Sequence, residues 1–279
     1  MTHEDRHRGR HPGDDRLFAA SERPALRTAV AELSWLLTRG YADVSALKLV
    51  GDRHGLTQRQ RQAVGRCACA DAARDVRMTR RQDRAALAGK PLAVDGFNAL
   101  IILESALSHG IVLRGRDSAL RDMASVHGNY RQVAETSFAV LAIGRHLHGP
   151  HAPHAPHAPP GPSHVAWYLD RPVGNSGRLR AVLLELAEQR GWPWSVELVQ
   201  NPDAVLVDRH RGDVVATSDA WILDHCERWF DLPASLLTPP DPAAPRPQDD
   251  TGPVLAARPD LWLLDLGSPE EPSSGIGET

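Results

Sequence analysis

The chain has 279 residues, a length that suggests one large domain or two small ones at about 150 residues per domain. Hydrophobic residues make up 42% and charged residues 24%, as in soluble proteins with a core, and no apolar run approaches the ~18 residues of a membrane-spanning helix. Three cysteines exclude a disulfide scaffold and a four-cysteine zinc site, and the polar N-terminus lacks a secretory signal, so we expect a reduced, cytoplasmic protein.

The net charge of −3 conceals two oppositely charged stretches. Residues 53–84 contain nine arginines and three aspartates, a balance of +6. Residues 240–279 contain eight acidic residues and two arginines, a balance of −6. A basic stretch combined with an acidic tail points to nucleic acid as a partner.

Residues 21–88 are predicted to form a small all-α module, because apolar residues recur there at helical spacing. A turn at Gly55 and an Arg- and Gln-rich helix capped by Thr57 give the outline of a helix-turn-helix. In that interpretation Arg59 and Arg61 contact nucleic acid. The alternative is a helical hairpin that packs on a neighbouring domain.

Residues 89–235 alternate short apolar runs with helical stretches, which predicts an α/β domain with a mostly parallel sheet flanked by helices. Residues 117–126 are among the predicted helices. The predicted strands are 91–94, 111–113, 165–169, 195–199 and 214–216.

The remaining segments carry few apolar residues. Residues 1–20 are predicted to be disordered, and residues 236–279 form a Pro-rich acidic tail that could dock through Trp262. The insert at 149–163 repeats His-Ala-Pro three times. We interpret it as a solvated linker, with metal capture as the alternative.

Three aspartates, Asp95, Asp170 and Asp219, each come at or just after a predicted strand. The carboxyl ends of parallel strands face one crevice, so these side chains are expected to converge. Clustered carboxylates repel one another unless a cation neutralises them, and hard oxygen ligands suit Mg²⁺ or Mn²⁺. Metal-activated water would then be the nucleophile. Taken singly, each aspartate could instead start a turn or cap a helix.

The segment Val94-Asp95-Gly96-Phe97-Asn98 resembles the strand-to-helix motif of the NYN and PIN-like ribonucleases. Residues 202–207 and 214–219 resemble the later half of that group, and Tyr168-Leu169-Asp170 resembles its middle strand. The resemblance implies a PIN-like fold and metal-dependent phosphodiester cleavage. The implied site residues are the metal-binding acids Asp95, Asp170, Asp203 and Asp219, the supporting Asn98, and the further acid Asp224. Candidates for the group's acid on a central helix are Asp117, Asp122 and Glu135.

Residues from about 33 to 232 also resemble an uncharacterised two-part family of archaea and bacteria. The matching segments are Arg39-Gly40-Tyr41, residues 56–61, residues 121–128 and residues 167–178. That family implies no activity.

Two further segments are predicted to bind phosphate or nucleic acid. A glycine-flanked helix start with Asn175, Ser176 and Arg178, preceded by Arg171, offers backbone N–H groups and guanidinium forks, although the same residues could simply form a helix cap. A loop containing His127 and Asn129 is bracketed by basic residues, which could alternatively be a solvated helix face. The residues predicted to bind there are Arg116, Arg121 and Tyr130.

The function that combines these features is a Mg²⁺- or Mn²⁺-dependent nuclease, for which RNA rather than DNA is the expected substrate. Its catalytic residues would be Asp95, Asn98, Asp170 and Asp219. A non-catalytic nucleic-acid-binding or regulatory protein with a PIN-like fold is the first alternative. A phosphatase for small phosphorylated molecules is the second.

Overall fold

The structure, a computed structural model, describes residues 7–124, 130–149, 161–238, 255 and 261–268. The strands are β1 (Arg81–Gln82), β2 (Pro91–Asp95), β3 (Val112–Arg114), β4 (Leu120–Asp122), β5 (His164–Asp170), β6 (Trp194–Val199), β7 (Val214–Ala216), β8 (Trp229–Phe230) and β9 (Leu263–Asp265). The helices are α1 (Asp14–Leu17), α2 (Arg23–Thr38), α3 (Asp43–Arg53), α4 (Gln58–Cys67), α5 (Asp71–Arg80), α6 (Gly96–Leu107), α7 (Thr136–His148), α8 (Ser176–Arg190), α9 (Pro202–Asp208), α10 (Ala220–His225) and α11 (Leu232–Leu237).

The main sheet has six strands in the order β1-β8-β7-β2-β5-β6, and every neighbouring pair is parallel. Successive side chains of a strand point to opposite faces. In β5, Trp167 and Leu169 therefore join the core under α6, α7 and α8, whereas Tyr168 packs on the other face with Leu206 of α9 and Ile222 of α10. The predicted α/β class with helices on both faces of a parallel sheet is confirmed.

The N-terminal part is helical, as predicted from its apolar periodicity. Thr57 begins α4 through a reciprocal capping box, in which the Thr57 hydroxyl accepts from Gln60 N (3.3 Å) and Gln60 Oε1 accepts from Thr57 N (3.1 Å). A one-turn helix, α1, lies within the stretch predicted to be disordered.

A second, small sheet joins the helical part to the α/β part. Its order is β4-β3-β9, with β3 antiparallel to β4 and parallel to β9. Ile111 and Leu113 from the β3 region share a buried cluster with Leu33 of α2 and Val64 of α4. The helical module is therefore packed against the α/β part through a common core.

The prediction of a helix over 117–126 is wrong for the described part of that segment, because residues 120–122 form strand β4. Ser118 has a φ of +63°, which turns the chain sharply, and Leu120 N donates to the Asp231 carboxylate (3.0 Å). Residues 125 and 126 lie outside the described residues.

Part of the acidic tail is ordered. Residues 263–265 form β9 beside β3, Leu264 and Leu266 are buried, and the Arg10 guanidinium lies 4.5 Å from the centre of the Trp262 ring. The His-Ala-Pro repeats, the loop residues His127 and Asn129, and most of the tail lie outside the described residues. In the part of the chain that the structure covers, no helix is long and apolar enough to span a bilayer.

Candidate functional site

Four neighbouring strands of the main sheet lead to an aspartate at the same edge. Asp95 ends β2 and Asp170 ends β5, while Asp219 follows β7 by three residues and Asp203 lies in the first turn of α9, just after β6. Because the strands β7-β2-β5-β6 are adjacent and parallel, their carboxyl ends meet at one edge. We call Asp95, Asp170, Asp203 and Asp219 the carboxylate cluster.

The chain turns sharply from β2 into α6 at Asp95-Gly96. Asp95 Oδ1 accepts a long hydrogen bond from Asn98 N (3.4 Å) and caps α6, while Oδ2 accepts from Thr217 Oγ1 (3.0 Å). A Cβ on Gly96 would lie 2.5 Å from Leu169 Cδ2. Only glycine therefore lets α6 begin so close to β5.

The loop after β7 is tied to α6 by Asn98. Asn98 Oδ1 accepts from Ser218 N (2.9 Å) and Ser218 Oγ (3.0 Å). Asp219 then caps α10, since its Oδ1 accepts from Trp221 N (2.9 Å) and Ile222 N (3.2 Å). Asn98 thus positions the Asp219 loop beside Asp95, and the caps anticipated as the alternative roles of Asp95 and Asp219 are also present.

The pKa values of the cluster show that its members act on one another. Burial raises the pKa of Asp95 to about 7; the charges of Asp219 and Asp203 add to the rise, and the hydrogen bond from Thr217 opposes it. Burial also raises the pKa of Asp203, helped by the charges of Asp219 and Asp170. The pKa of Asp170 is raised by burial as well. Asp203 therefore interacts electrostatically with all three other aspartates.

Other buried carboxylates of the described chain are paired with arginine. Asp14 is held by Arg59 (2.8 and 2.9 Å), and Asp117 by both Arg77 (2.7 Å) and Arg121 (2.6 Å). Within the described residues, no member of the carboxylate cluster forms a salt bridge, and no cation is among the main causes of the pKa shifts of Asp95, Asp170 and Asp203. The cluster is thus a concentration of carboxylates without a cationic partner in the described part of the chain.

Asp224, the further acid suggested by the motif resemblance, is not part of this cluster. Arg77 binds both of its oxygens, Nε to Oδ1 (2.7 Å) and Nη2 to Oδ2 (2.8 Å). The candidates for the acid of a central helix are also paired: Asp117 as above, Asp122 with Arg66 (3.7 Å) and Glu135 with His7 (2.5 Å).

The described residues contain no group of three His, Cys, Asp or Glu side chains arranged to hold a metal ion. The expectation that the strand-end aspartates form a ready three-ligand set is not met. Mg²⁺, however, commonly takes one or two carboxylates and completes its shell with water and substrate phosphate oxygens. The donor chemistry of the cluster, hard oxygens with unneutralised charge, fits such a cation, with Asp95, Asp203 and Asp219 as the mutually interacting donors.

Four residues predicted to contact nucleic acid serve internal roles. Arg59 binds Asp14, and Arg61 binds Asp52 (2.8 Å). Arg121 is buried against Asp117. Tyr130 is fully buried, with its hydroxyl donating to Glu104, and is not an exposed stacking ring. These internal contacts fit the alternative to the helix-turn-helix, a helical hairpin that packs on a neighbouring domain.

Two side chains of the predicted phosphate-binding turn are hydrogen-bonded to the backbone of neighbouring segments. Arg171 Nη2 donates to the carbonyl of Leu198 (2.8 Å), and Asn175 Nδ2 donates to the carbonyl of Tyr130 (2.9 Å). Ser176 is buried, whereas Arg178 is exposed. Arg116 lies elsewhere, on the turn after β3, where it pairs with Asp71 (2.6 Å).

Thr217 is the site residue that sequence reasoning did not single out. Its hydroxyl is the donor that orients Asp95, and it stands two residues before Asp219. The signal that could identify it is a hydroxyl residue two positions before Asp219, within the segment 214–219 that resembles the later half of the PIN-like group.

Two families match the chain. The family described as domain of unknown function (DUF5616) matches residues 84–235, which are 152 of the 279 residues, and the one described as protein of unknown function (DUF434) matches residues 25–80. An uncharacterized protein of Methanocaldococcus jannaschii is 26% identical over 204 residues, covering 71% of this chain and 89% of that protein. No solved structure matches. The expected two-part uncharacterised family is confirmed, whereas the PIN-like resemblance stays a prediction.

Proposed function

We propose that this chain, which belongs to the family of the domain of unknown function DUF5616, is a metal-dependent nuclease that cleaves phosphodiester bonds, with RNA as its preferred substrate. The observation that supports the proposal is the carboxylate cluster. Four aspartates follow four adjacent parallel strands, interact with one another, and have no arginine or lysine partner among the described residues. Such a cluster is costly to the folded protein unless a cation neutralises it.

Each member of the cluster has a defined part in the proposal. Asp203 is the common neighbour of the other three and is exposed, which suits a residue that meets a cation arriving from solvent. Asp95 is half-buried and oriented by Thr217, and its pKa of about 7 means that it holds a proton in roughly half of the molecules at neutral pH. Asn98 keeps the Asp219 loop in place.

A bound Mg²⁺ or Mn²⁺ would supply a water of lowered pKa and neutralise charge on the phosphate. Asp95, Asp203 and Asp219 would hold it, because these carboxylates act on one another, and Asp170 lies next to Asp203 as the fourth acid. Asp95 must lose its proton for the cation to bind, so we expect binding to strengthen from pH 6 to pH 8.

The test compares Asp95→Asn with the parent protein in cleavage of labelled single-stranded RNA and DNA with added Mn²⁺. Removal of one negative charge with little change of shape should reduce cleavage by at least about 100-fold, equivalent to about 2.7 kcal/mol. Asp208→Asn, at the exposed far end of α9, is the matched control and should cleave like the parent. Undiminished cleavage by Asp95→Asn contradicts the assignment.

The same assay separates the alternatives. A non-catalytic binding protein retains the RNA without any Mn²⁺-dependent cleavage in the parent. A phosphatase releases phosphate from a small monoester, such as nitrophenyl phosphate, and leaves internal bonds of RNA intact. Either result would replace the nuclease proposal.

A further inference from the structure

A basic groove lies where the helical part meets the small sheet. Its volume is about 830 Å³, within the usual range of ligand-binding clefts. Its walls come from α2, α5, the turn after β3 and the residues after β9. Four arginines line it, against the single acid Asp75: Arg27, Arg74, Arg114 and Arg116.

Two of these arginines have unused donors. The Nε of Arg114 is buried and has no hydrogen-bond partner, while its Nη2 donates to Thr238 Oγ1 (3.1 Å). Arg27 uses Nε for the carbonyl of Asp265 (3.0 Å), and within the described residues its terminal nitrogens make no hydrogen bond. The terminal nitrogens of the half-buried Arg27 are therefore the donors available to an anion in the groove, whereas the Arg114 Nε is shielded from solvent.

The other two arginines are held in place by acids. Arg116 pairs with Asp71 (2.6 Å), and Arg74 pairs with Asp75 (2.7 Å) and more distantly with Asp71 (3.7 Å). Four arginines against these two aspartates leave the groove with a charge of +2. The acids orient the guanidinium groups without cancelling the positive potential.

We propose that this groove binds the phosphate backbone of a single-stranded nucleic acid, an inference that rests on the proposed nuclease function. Arginines on three separate chain segments suit a run of phosphates better than one isolated anion. An 830 Å³ groove takes a few nucleotides of one strand but is too small for a duplex. Of the apolar residues at the groove, Met78 is 52% exposed and offers the bases an apolar side chain, whereas Val30 and Leu266 are buried in the core.

The groove replaces α4 as the surface that grips the strand. In the arginines predicted to do so on α4, Arg59 and Arg61, all three guanidinium nitrogens already donate to an aspartate or to a backbone carbonyl. The described groove contains no aromatic ring on which a base could stack. Its binding is therefore expected to depend on phosphate contacts, with strong salt dependence and little base preference.

The test measures binding of a labelled 12-nucleotide single-stranded RNA by fluorescence anisotropy in EDTA, at several salt concentrations. Arg27→Gln/Arg74→Gln should bind at least 10-fold more weakly than the parent. Loss of two phosphate contacts should also lower the slope of log K against log salt by about 1.4. The single variant Arg74→Gln changes a half-buried surface position and should lose RNA affinity to a smaller extent. It replaces the double variant in the test if the double variant has a lowered melting temperature.

The matched control is Arg190→Gln/Arg211→Gln, which removes the same charge from exposed positions outside the groove, at the end of α8 and before β7. The control should bind like the parent. Equal affinity and slope for the groove variant and the control would overturn the proposal, as would duplex RNA binding as tightly as the single strand.

Failure of this inference can be told apart from failure of the nuclease proposal, because binding is measured without divalent cation. If the groove variant binds RNA more weakly than the parent, and the parent shows no Mn²⁺-dependent cleavage, the groove proposal is supported and the nuclease proposal is contradicted. If the parent cleaves RNA, and the groove variant binds and cleaves it as well as the parent does, the nuclease proposal is supported and the groove proposal is contradicted.

Discussion

At the scale of single residues, Asp95 combines a helix-capping role with a burial that opposes its charge. Its Oδ2 accepts from Thr217 and its pKa is raised to about 7 from an ordinary value near 3.8. The folded protein therefore binds more protons than the unfolded chain between these two values. The stabilising contribution of protonated Asp95 is complete below about pH 4 and is lost as the pH rises through 7.

Asp95→Asn tests this directly, because asparagine keeps the shape and has no charge to bury. We expect the variant to melt a few degrees above the parent at pH 8 in EDTA and to lose that advantage by pH 5. Circular dichroism melts at both pH values measure the difference. A gain that is equal at pH 5 and pH 8 would contradict the raised pKa.

Arg59 is a second residue whose role is set by one contact. Burial tends to raise the pKa of Asp14, but the hydrogen bonds and charge of Arg59, together with the backbone hydrogen bond from His11, outweigh it and the pKa is lowered. Arg59→Ala leaves a fully buried carboxylate without its partner, so we expect a loss of about 3 kcal/mol in unfolding free energy. RNA affinity should not change in the folded variant. Urea denaturation measures the unfolding free energy, and fluorescence anisotropy measures the RNA affinity. Weaker RNA binding without destabilisation would indicate that α4 contacts RNA.

At the scale of elements, β9 places the tail residues that follow it along one side of the basic groove. Leu264 is 1% exposed in the shared core, and the Asp265 carboxylate accepts from Gly267 N and Ser268 N (both 3.0 Å), which shapes the residues that line the groove. The tail therefore contributes both to the core and to the proposed binding surface.

Leu264→Asp should detach this strand, because it places a charge among apolar side chains. We expect a loss of about 3 kcal/mol in stability, with RNA affinity reduced as well. Leu49→Asp is the control, since Leu49 is 59% exposed and its replacement should cost little. Thermal melts measure the stability of both variants, and anisotropy measures their RNA affinity. If Leu264→Asp matches the parent in both, β9 is needed neither for stability nor for RNA binding.

At the scale of the whole molecule, the helical part and the α/β part share one buried cluster. Leu33 and Val64 meet Leu113, Met123 and Leu264 across the small sheet. Because neither part buries this surface alone, the two should unfold together.

We therefore expect a single calorimetric transition, with equal calorimetric and van't Hoff enthalpies. Removal of residues 1–89 should expose Leu113 and Met123 and give a poorly soluble, easily digested fragment. Two separate melting transitions, or a stable fragment, would show that the parts are independent domains.

The sequence by itself determined the local structure and the edge of the sheet at which the aspartates stand. Apolar periodicity placed the helices of the N-terminal part, Thr57 was identified as a cap, and runs ending at Asp95 and Asp170 were identified as strands. These features depend on residues a few positions apart, so local sequence contains them. Parallel pairing then sends the strand ends to one edge without further information.

Only the tertiary structure decided which charged side chains are paired with an opposite charge and which are not. Arg59 contacts Asp14, 45 residues away, Tyr130 contacts Glu104, 26 residues away, and the paired residues of β3 and β9 are 151 positions apart. No local pattern specifies such partners, because they are selected by the packing of distant segments. The same long-range packing brings four arginines to one groove and, among the described residues, places no arginine or lysine against the carboxylate cluster, which the local sequence could not show.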